Sequence, residues 1–84
     1  MSNDHSKDLH GRDLSNEDLS GEDLSGANLR GASLNDADLR EANLSGANLR
    51  GADLRDAKLV GTDLTNAIVT DEQLGGAIRS ENDD

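Results

Sequence analysis

The sequence predicts an all-β solenoid, a chain wound into stacked coils around a column of leucines, with a short capping helix at its C-terminal end. Three observations predict this fold. Leucine recurs at every fifth position, alanine stands two positions before most of these leucines, and glycine, asparagine or aspartate stands two positions after them. Internal repetition at a fixed period is the signature of solenoid architectures.

The central column contains thirteen aliphatic residues at a strict spacing of five. Its members are Leu9, Leu14, Leu19, Leu24, Leu29, Leu34, Leu39, Leu44, Leu49, Leu54, Leu59, Leu64 and Val69. In an α-helix five residues advance by about 500°, so leucines at this spacing form no single stripe. In a straight strand they would alternate between two faces. All thirteen can face one interior only if the chain bends within every repeat.

The residues two positions after each leucine are suited to such a bend. Glycine, asparagine and aspartate tolerate positive φ or cap a turn with their own side chains. From position 11 to position 66 this column contains only these three residue types, with Glu41 as the single exception. Each repeat is therefore predicted to be a short extended piece, with alanine and leucine pointing inward, followed by a corner.

Length and composition limit the alternatives. The 84 residues suffice for one domain and contain no cysteine, which excludes disulfides and thiolate zinc sites. The chain has no aromatic residue, although ordinary globular cores rely on aromatics for buried area. A net charge of -10 with low hydrophobicity is typical of disorder, but the regular repeat favours an ordered solenoid. Without a membrane-spanning run or an apolar secretory signal, we expect a cytoplasmic protein that does not enter a membrane.

The repeats resemble a known family. The segments Ala27-Asn28-Leu29-Arg30-Gly31 and Ala52-Asp53-Leu54-Arg55-Asp56 are similar to the pentapeptide-repeat family, and the resemblance covers about residues 7–71. It implies a right-handed quadrilateral β-helix with four repeats, or twenty residues, per coil. Some members of the family imitate duplex DNA and bind type II topoisomerases.

The first repeats differ from those that follow. We expect a disordered N-terminus over residues 1–6 and a solenoid over residues 7–70, whose first coil, residues 7–26, is a polar cap. Lys7, Arg12, Glu17 and Glu22 occupy the positions at which later repeats have alanine. Long charged side chains are not buried unpaired beside leucines, and terminal repeats of solenoids need a polar outer face. A charged binding ring is the alternative interpretation of these four residues.

The last residues predict a helix and a tail. Thr70 and Gln73 fit a capping box, and Leu74, Ala77 and Ile78 fall on one helical face. We therefore expect a capping helix over residues 71–79, followed by a disordered acidic tail over residues 80–84.

The sequence indicates no catalytic, cofactor-binding or metal-binding residues. His5, Asp8 and His10 lie in or beside the N-terminal segment and are best interpreted as solvated polar residues. The serines lie in no motif that would supply a neighbouring base. The aspartates occur one per repeat, whereas calcium needs six to eight converging oxygen ligands. We therefore do not expect an enzyme.

Four apolar residues near the C-terminal end are a possible interaction surface, namely Val60, Ile68, Leu74 and Ile78. Exposed apolar residues mark docking sites. The partner would be another protein or a second copy of this chain, paired through the C-terminal ends. As an alternative, Val60 and Ile68 lie beneath the capping helix.

The charge distribution bears on function. Residues 1–25 and residues 63–84 each carry a net charge of -5, while residues 26–62 are neutral. So acidic a chain is not expected to bind nucleic acid. We therefore predict a non-catalytic structural or protein-interaction module. The alternative is a DNA-mimicking modulator of a type II topoisomerase (DNA gyrase), against which the neutral middle and the lack of phenylalanine in the central column both count.

Overall fold

The computed structural model describes residues 7–80. The predicted disordered N-terminus, residues 1–6, lies outside the described residues, as do residues 81–84 of the predicted tail. Within the described part of the chain, no helix is long and apolar enough to cross a membrane.

The coils contain twenty residues each. Ten parallel β-bridges join residues exactly one coil apart, and each bridge stands alone because the chain bends soon after it. The bridges are Asp8–Asn28, Asp13–Ser33, Asp18–Asp38, Asp23–Asn43, Asn28–Asn48, Ser33–Asp53, Asp38–Lys58, Asn43–Asp63, Asn48–Ile68 and Lys58–Ile78. With a period of five, this register gives four repeats per coil.

The same backbone hydrogen bonds recur through most of the repeats. The leucines from Leu9 to Leu49, and also Leu59, donate their N–H groups to the next coil, as from Leu29 to the Asn48 carbonyl at 2.8 Å. The residue before a leucine donates to the preceding coil, as from Asn48 to the Ala27 carbonyl at 2.9 Å. A third bond starts at the corner, as from Gly31 to the Arg50 carbonyl at 2.8 Å. Neighbouring coils are therefore joined on every side.

The core consists of alanine and leucine alone. Leu29, Leu34, Leu39, Leu44 and Leu49 have no exposed surface, and the alanines from Ala27 to Ala57 are at most 5% exposed. Thr62 stands where an alanine is expected, and its hydroxyl donates to the Leu39 carbonyl at 2.6 Å. Because that hydroxyl is satisfied, the substitution leaves no unpaired polar group beside the core.

The corners lie where the sequence predicts them. Every fifth residue from Gly11 to Gly61, and then Asn66, has a φ between 61° and 78°. Glu41, the exception to the sequence pattern, also adopts a positive φ of 64°. Its carboxylate lies over Gly61, where a Cβ atom would collide with it. Glycine at position 61 thus leaves room for the Glu41 carboxylate in its present position.

The column of Asp and Asn residues that precedes the leucines stabilises the corners, a role that the sequence did not reveal. The Asp13 carboxylate accepts the backbone N–H of Ser15 at 3.1 Å and the Ser15 hydroxyl at 2.5 Å. Such side-chain-to-backbone bonds across two residues stabilise turns. Hydrogen bonds from the Ser or Thr two positions later lower the pKa values of four aspartates: Asp13, Asp18, Asp23 and Asp63.

The C-terminal helix α1 spans Asp71–Gly75 and is shorter than the predicted helix over residues 71–79. The predicted capping box between Thr70 and Gln73 is present. After Gly75 the chain returns to the coil register, since Ile78 donates its N–H to the Ala57 carbonyl at 2.7 Å. Two successive glycines weaken a helix, so a coil hydrogen bond prevails over a second helical turn.

Gln73 links this helix to the coil below it. In the coil pattern the backbone N–H at position 73 would donate to the Ala52 carbonyl, but in the helix it donates to the Thr70 hydroxyl. The Gln73 side-chain amide donates to the Ala52 carbonyl instead, at 2.9 Å, and to the Leu49 carbonyl at 2.7 Å. The side chain therefore replaces the backbone bond that helix formation removes.

Leu44→Ala should lower the free energy of unfolding by about 2–5 kcal/mol, because it removes a fully buried side chain and leaves a cavity. Arg50→Ala is the surface control, and its effect should stay within about ±0.5 kcal/mol. Urea or thermal unfolding followed by circular dichroism measures both. Similar shifts for the two variants would contradict the inward and outward assignment.

Acid should destabilise the protein through the turn aspartates. A carboxylate whose folded pKa lies below its unfolded value stabilises the folded state fully above the unfolded pKa, and this contribution is lost as the pH falls through the folded pKa. The triple variant Ser15→Ala, Ser20→Ala, Ser25→Ala removes hydroxyl donors, so its melting temperature should fall less steeply below about pH 4 than that of the wild type.

Ser45→Ala is the matched control, because the Ser45 hydroxyl donates at 2.7 Å to the amide of Asn43, which does not titrate. Its pH dependence should equal that of the wild type. Identical acid slopes for the triple variant and the wild type would contradict this role of the hydroxyls.

Candidate interaction surfaces

The twenty-residue register stacks the repeats in four columns, each built from one repeat per coil, and we call each of these stacks a side. Repeats centred on Leu9, Leu29, Leu49 and Val69 form the first side; the next repeats of each coil form the second, third and fourth. Each repeat extends from two residues before its centre to two residues after it. The described residues then give net charges of +1 on the first side, -3 on the second, -1 on the third and -3 on the fourth. The first side is therefore cationic on an acidic chain.

Two arginines form ion pairs on their own sides. Arg40 and Asp38 are joined by bonds of 2.6 and 2.8 Å, and Arg55 and Asp53 by bonds of 2.7 and 2.9 Å. The side-chain hydrogen bond from each arginine lowers the pKa of its aspartate to about 2, and the same contact raises the pKa of Arg55. These positive charges are locally compensated.

The first side lacks that compensation. The turn residues two positions before its arginines are Asn28 and Asn48, and Arg30 donates from Nε to the Asn28 amide oxygen at 3.0 Å. Within residues 7–80 neither Arg30 nor Arg50 is in an ion pair. The two residues lie one coil apart, a spacing of about 4.8 Å, and like charges on adjacent strands repel. We call Arg30 and Arg50 the cationic column. In the sequence its signal is an asparagine, rather than an aspartate, two positions before each arginine. This signal can be interpreted only once the register is known.

The four predicted apolar residues do not form one continuous patch. Ile68 lies on the first side and is 42% exposed, so helix α1 does not cover it. Val60 and Ile78 are half-buried and lie in successive coils of the third side, half a coil away from Ile68, and Ile78 is bridged to Lys58. Leu74, in helix α1, packs partly buried against the core. The structure places Val60 and Ile78 on the same side but separates both from Ile68.

A shallow groove runs along the third side. Its lining residues are Ser20, Gly21, Arg40, Glu41 and Val60. Ser20 donates its hydroxyl to Asp18 at 2.6 Å, and Arg40 is held by Asp38. The Ser20 hydroxyl and the Arg40 guanidinium are thus both engaged within their own turns.

The N-terminal coil leaves leucines partly exposed. Leu9, Leu14, Leu19 and Leu24 pack against the core without being fully buried. Lys7 donates from Nζ to the Ser25 carbonyl at 2.9 Å, a group that a further coil would otherwise bond. Arg12, Glu17 and Glu22 are exposed.

Two histidines and several serines are the residues that the sequence offers as possible metal ligands or nucleophiles. His10 lies 3.5 Å from the Asp8 carboxylate, whereas His5 lies outside the described residues. Among residues 7–80 no group of three or more His, Asp or Glu side chains is arranged to hold a metal ion. The hydroxyls of Ser15, Ser20 and Ser25 each donate to an aspartate of their own turn.

Comparison with known proteins identifies the repeats. A family model of pentapeptide repeats matches residues 8–40 and 32–71 in eight copies. A pentapeptide-repeat protein from the cyanobacterium Cyanothece 51142, Rfr23, is 36% identical with a TM-score of 0.64, and the match covers 89% of this chain and 54% of that one. HetL from Nostoc sp. strain PCC 7120, involved in heterocyst differentiation regulation, is 42% identical with a TM-score of 0.52, over 87% of this chain and 38% of that one.

A third solved structure shows the fold alone. QnrB1, a plasmid-mediated fluoroquinolone resistance protein, is 18% identical with a TM-score of 0.53, over 74% of this chain and 40% of that one. No curated protein sequence matches this chain. The chain spans about half the length of Rfr23 and less of the other two proteins. The matched repeats and the solved relatives together establish that this chain is a right-handed β-helix and belongs to the pentapeptide-repeat family.

Proposed function

We propose that this chain is a non-catalytic protein-interaction module that binds an acidic segment of another protein through its cationic column. One observation carries the proposal: Arg30 and Arg50 are stacked one coil apart without a carboxylate partner among the described residues, while Arg40 and Arg55 each have one. A carboxylate bound near both arginines would relieve the repulsion between these two like charges. Arginine presents several donors in a planar fork that suits carboxylates.

The turn hydrogen bonds support this role. Arg30 and Arg50 each donate the backbone N–H to the asparagine two positions earlier, at 3.3 and 3.2 Å. The backbone that carries both arginines is therefore fixed before binding, which reduces the entropic cost of association. We further propose that the coils have a quadrilateral cross-section with four flat sides, and that helix α1 caps the last complete coil through Gln73.

The C-terminal apolar residues provide a second contact in this proposal. Ile68 lies on the first side, in the coil above Arg50, so a partner that covers the arginines can also bury it. The chain near this end carries three acids, Asp63, Asp71 and Glu72, and one base, Arg79. Their repulsion disfavours pairing two C-terminal ends and favours a different protein over a second copy at this surface.

The alternative function, imitation of DNA toward a type II topoisomerase, has one observation in its favour: the second and fourth sides each carry a net charge of -3 among the described residues. Duplex DNA, however, presents about one negative charge per 1.7 Å of axis on a continuous surface. Here a cationic side interrupts the acidic ones. We therefore rank imitation of DNA below binding of an acidic protein segment.

Titration with a deca-glutamate peptide tests the main proposal. Amide and Arg Nε NMR signals of the first side should shift, and the variant Arg30→Ser, Arg50→Ser should lose these shifts. Arg40→Ser, Arg55→Ser is the matched control, because it removes the same charge from the paired arginines. Shifts that survive in the first variant, or that vanish equally in both, would contradict a site at the cationic column.

A gyrase assay tests the alternative. We expect no inhibition of DNA supercoiling at micromolar protein, since the middle coils are neutral. The quadruple variant Arg30→Ser, Arg40→Ser, Arg50→Ser, Arg55→Ser should increase any residual effect if charge alone limits it. Strong inhibition by the unmodified protein at sub-micromolar concentration would place imitation of DNA first.

A further inference from the structure

The cationic column is short and has acids at both ends. In the second and third coils the first side carries Arg30 and Arg50 and no acidic residue. Asp8 lies on the same side in the coil below, and Asp71 ends the repeat in the coil above. A long run of carboxylates laid along this side would therefore meet a like charge at each end of the column, whereas one compact anion between the arginines would not.

The side-chain groups that this part of the first side offers are hydrogen-bond donors. Among residues 7–80, the Arg30 side chain bonds through Nε to the neutral Asn28, and the Arg50 side chain bonds to no other group. The Asn48 amide oxygen accepts the backbone N–H of Arg50 at 3.2 Å, and its Nδ2 group has no partner within the same range. Two guanidinium groups and one amide NH₂ group are thus available to an acceptor.

All four corners that flank the column are glycines. Gly26 and Gly46 precede the two repeats, Gly31 and Gly51 end them, and their φ angles lie between 66° and 71°. Several other corners of the solenoid carry asparagine, aspartate or glutamate instead. Because glycine has no side chain, the backbone on either side of the arginines leaves room for the close approach of a partner chain.

The spacing of the arginines favours one compact dianion over two separate carboxylates. Arg30 and Arg50 lie one coil, about 4.8 Å, apart. Side chains on the same face of an extended partner are two residues, about 6.6 Å, apart, so two carboxylates of such a segment do not match the arginines. A phosphomonoester carries up to two negative charges and three acceptor oxygens in one group. It can therefore accept hydrogen bonds from both guanidinium groups at once.

Ile68 lies within reach of the same partner. It is bridged to Asn48 in the coil below it, and its side chain is exposed. A dianion midway between the two arginines would lie one and a half coils, about 7 Å, from Ile68 along the solenoid axis. Two residues of an extended chain span nearly the same distance and point their side chains to one face. An apolar residue two positions from the dianion would therefore contact Ile68.

We propose that the cationic column recognises a phosphorylated serine or threonine of another protein, in an extended segment whose apolar side chain two residues away packs on Ile68. This inference rests on the proposed function, because it specifies the acidic segment that the column binds. The chain as a whole carries a net charge of -10, and its long-range field opposes any anion. At about 0.15 M salt this field is largely screened beyond about 8 Å, so the nearby donors determine binding.

Titration with a set of short peptides at about 0.15 M salt tests the proposal. The first peptide contains Leu-Ala-phosphoserine-Ala-Leu, which offers a leucine two positions away in either chain direction. The others have glutamate or serine in place of phosphoserine, or exchange each leucine with its neighbouring alanine. Amide and Arg Nε NMR signals of the first side should show the first peptide binding at least about tenfold more tightly than the glutamate peptide, because the dianion accepts more charge-assisted hydrogen bonds.

Two double variants locate the site. Asn28→Asp with Asn48→Asp keeps both arginines but gives each an aspartate two positions earlier, the arrangement that holds Arg40 in an ion pair. This variant should lose binding of the phosphoserine peptide. Asn35→Asp with Asn43→Asp is the matched control, because it adds the same charge on the second and fourth sides, and it should bind like the wild type. Equal losses in the two variants would contradict a site at the cationic column.

The peptide results separate this inference from the proposed function. Equal binding of the glutamate and phosphoserine peptides, or binding of deca-glutamate alone, would refute the inference and leave the proposed function standing. If no peptide shifts the signals of the first side, both are wrong. Inorganic phosphate that binds as tightly as the phosphoserine peptide would also refute the inference, because the segment would then contribute nothing. Equal binding of the peptide with exchanged leucines would refute the contact with Ile68.

Discussion

The backbone hydrogen bonds between coils are the constraint on which the rest of the structure depends. They join residues one coil apart on all four sides and so fix the register at twenty residues. A single repeat contributes one alanine and one leucine to the interior, too little to bury a core by itself; stacked neighbours make that core continuous. Even the irregular C-terminus follows the register, because Gln73 and Ile78 both bond to the coil below helix α1.

Much of this arrangement follows from the sequence. The five-residue spacing predicts the buried leucines and the positive-φ corners, and Thr70 with Gln73 predicts the start of the helix. Gly75 and Gly76 weaken a longer helix but do not by themselves locate its end, because Leu74, Ala77 and Ile78 suit a helical face as well as a return to the coil. Whether these residues form a helix or return to the coil depends on hydrogen bonds between Ile78 and the residues Ala57 and Leu59. Because Ala57 and Leu59 are distant in sequence, no local pattern shows these bonds. The cationic column likewise exists only in the stacked register, since Arg30 and Arg50 are far apart in sequence.

The choice between asparagine and aspartate in a turn changes the surface charge but not the fold. Asn28 and Asp53 each accept the backbone N–H of the residue two positions later, so either residue type can stabilise the corner. Only the aspartate, however, neutralises an arginine on its own side. The exchange of one for the other thus changes the electrostatic potential of a side without changing the scaffold. Positive and negative sides can coexist on one small solenoid for this reason.

The twenty-residue register also determines how such a surface can change during evolution. Insertion or deletion of one five-residue repeat keeps every leucine inward and every corner intact, so the core tolerates it. The same event moves all later outward side chains by a quarter coil, and Arg50 would then no longer stack on Arg30. Gain or loss of four repeats restores the alignment. Changes in repeat number are therefore a route by which new binding surfaces can arise from an unchanged core.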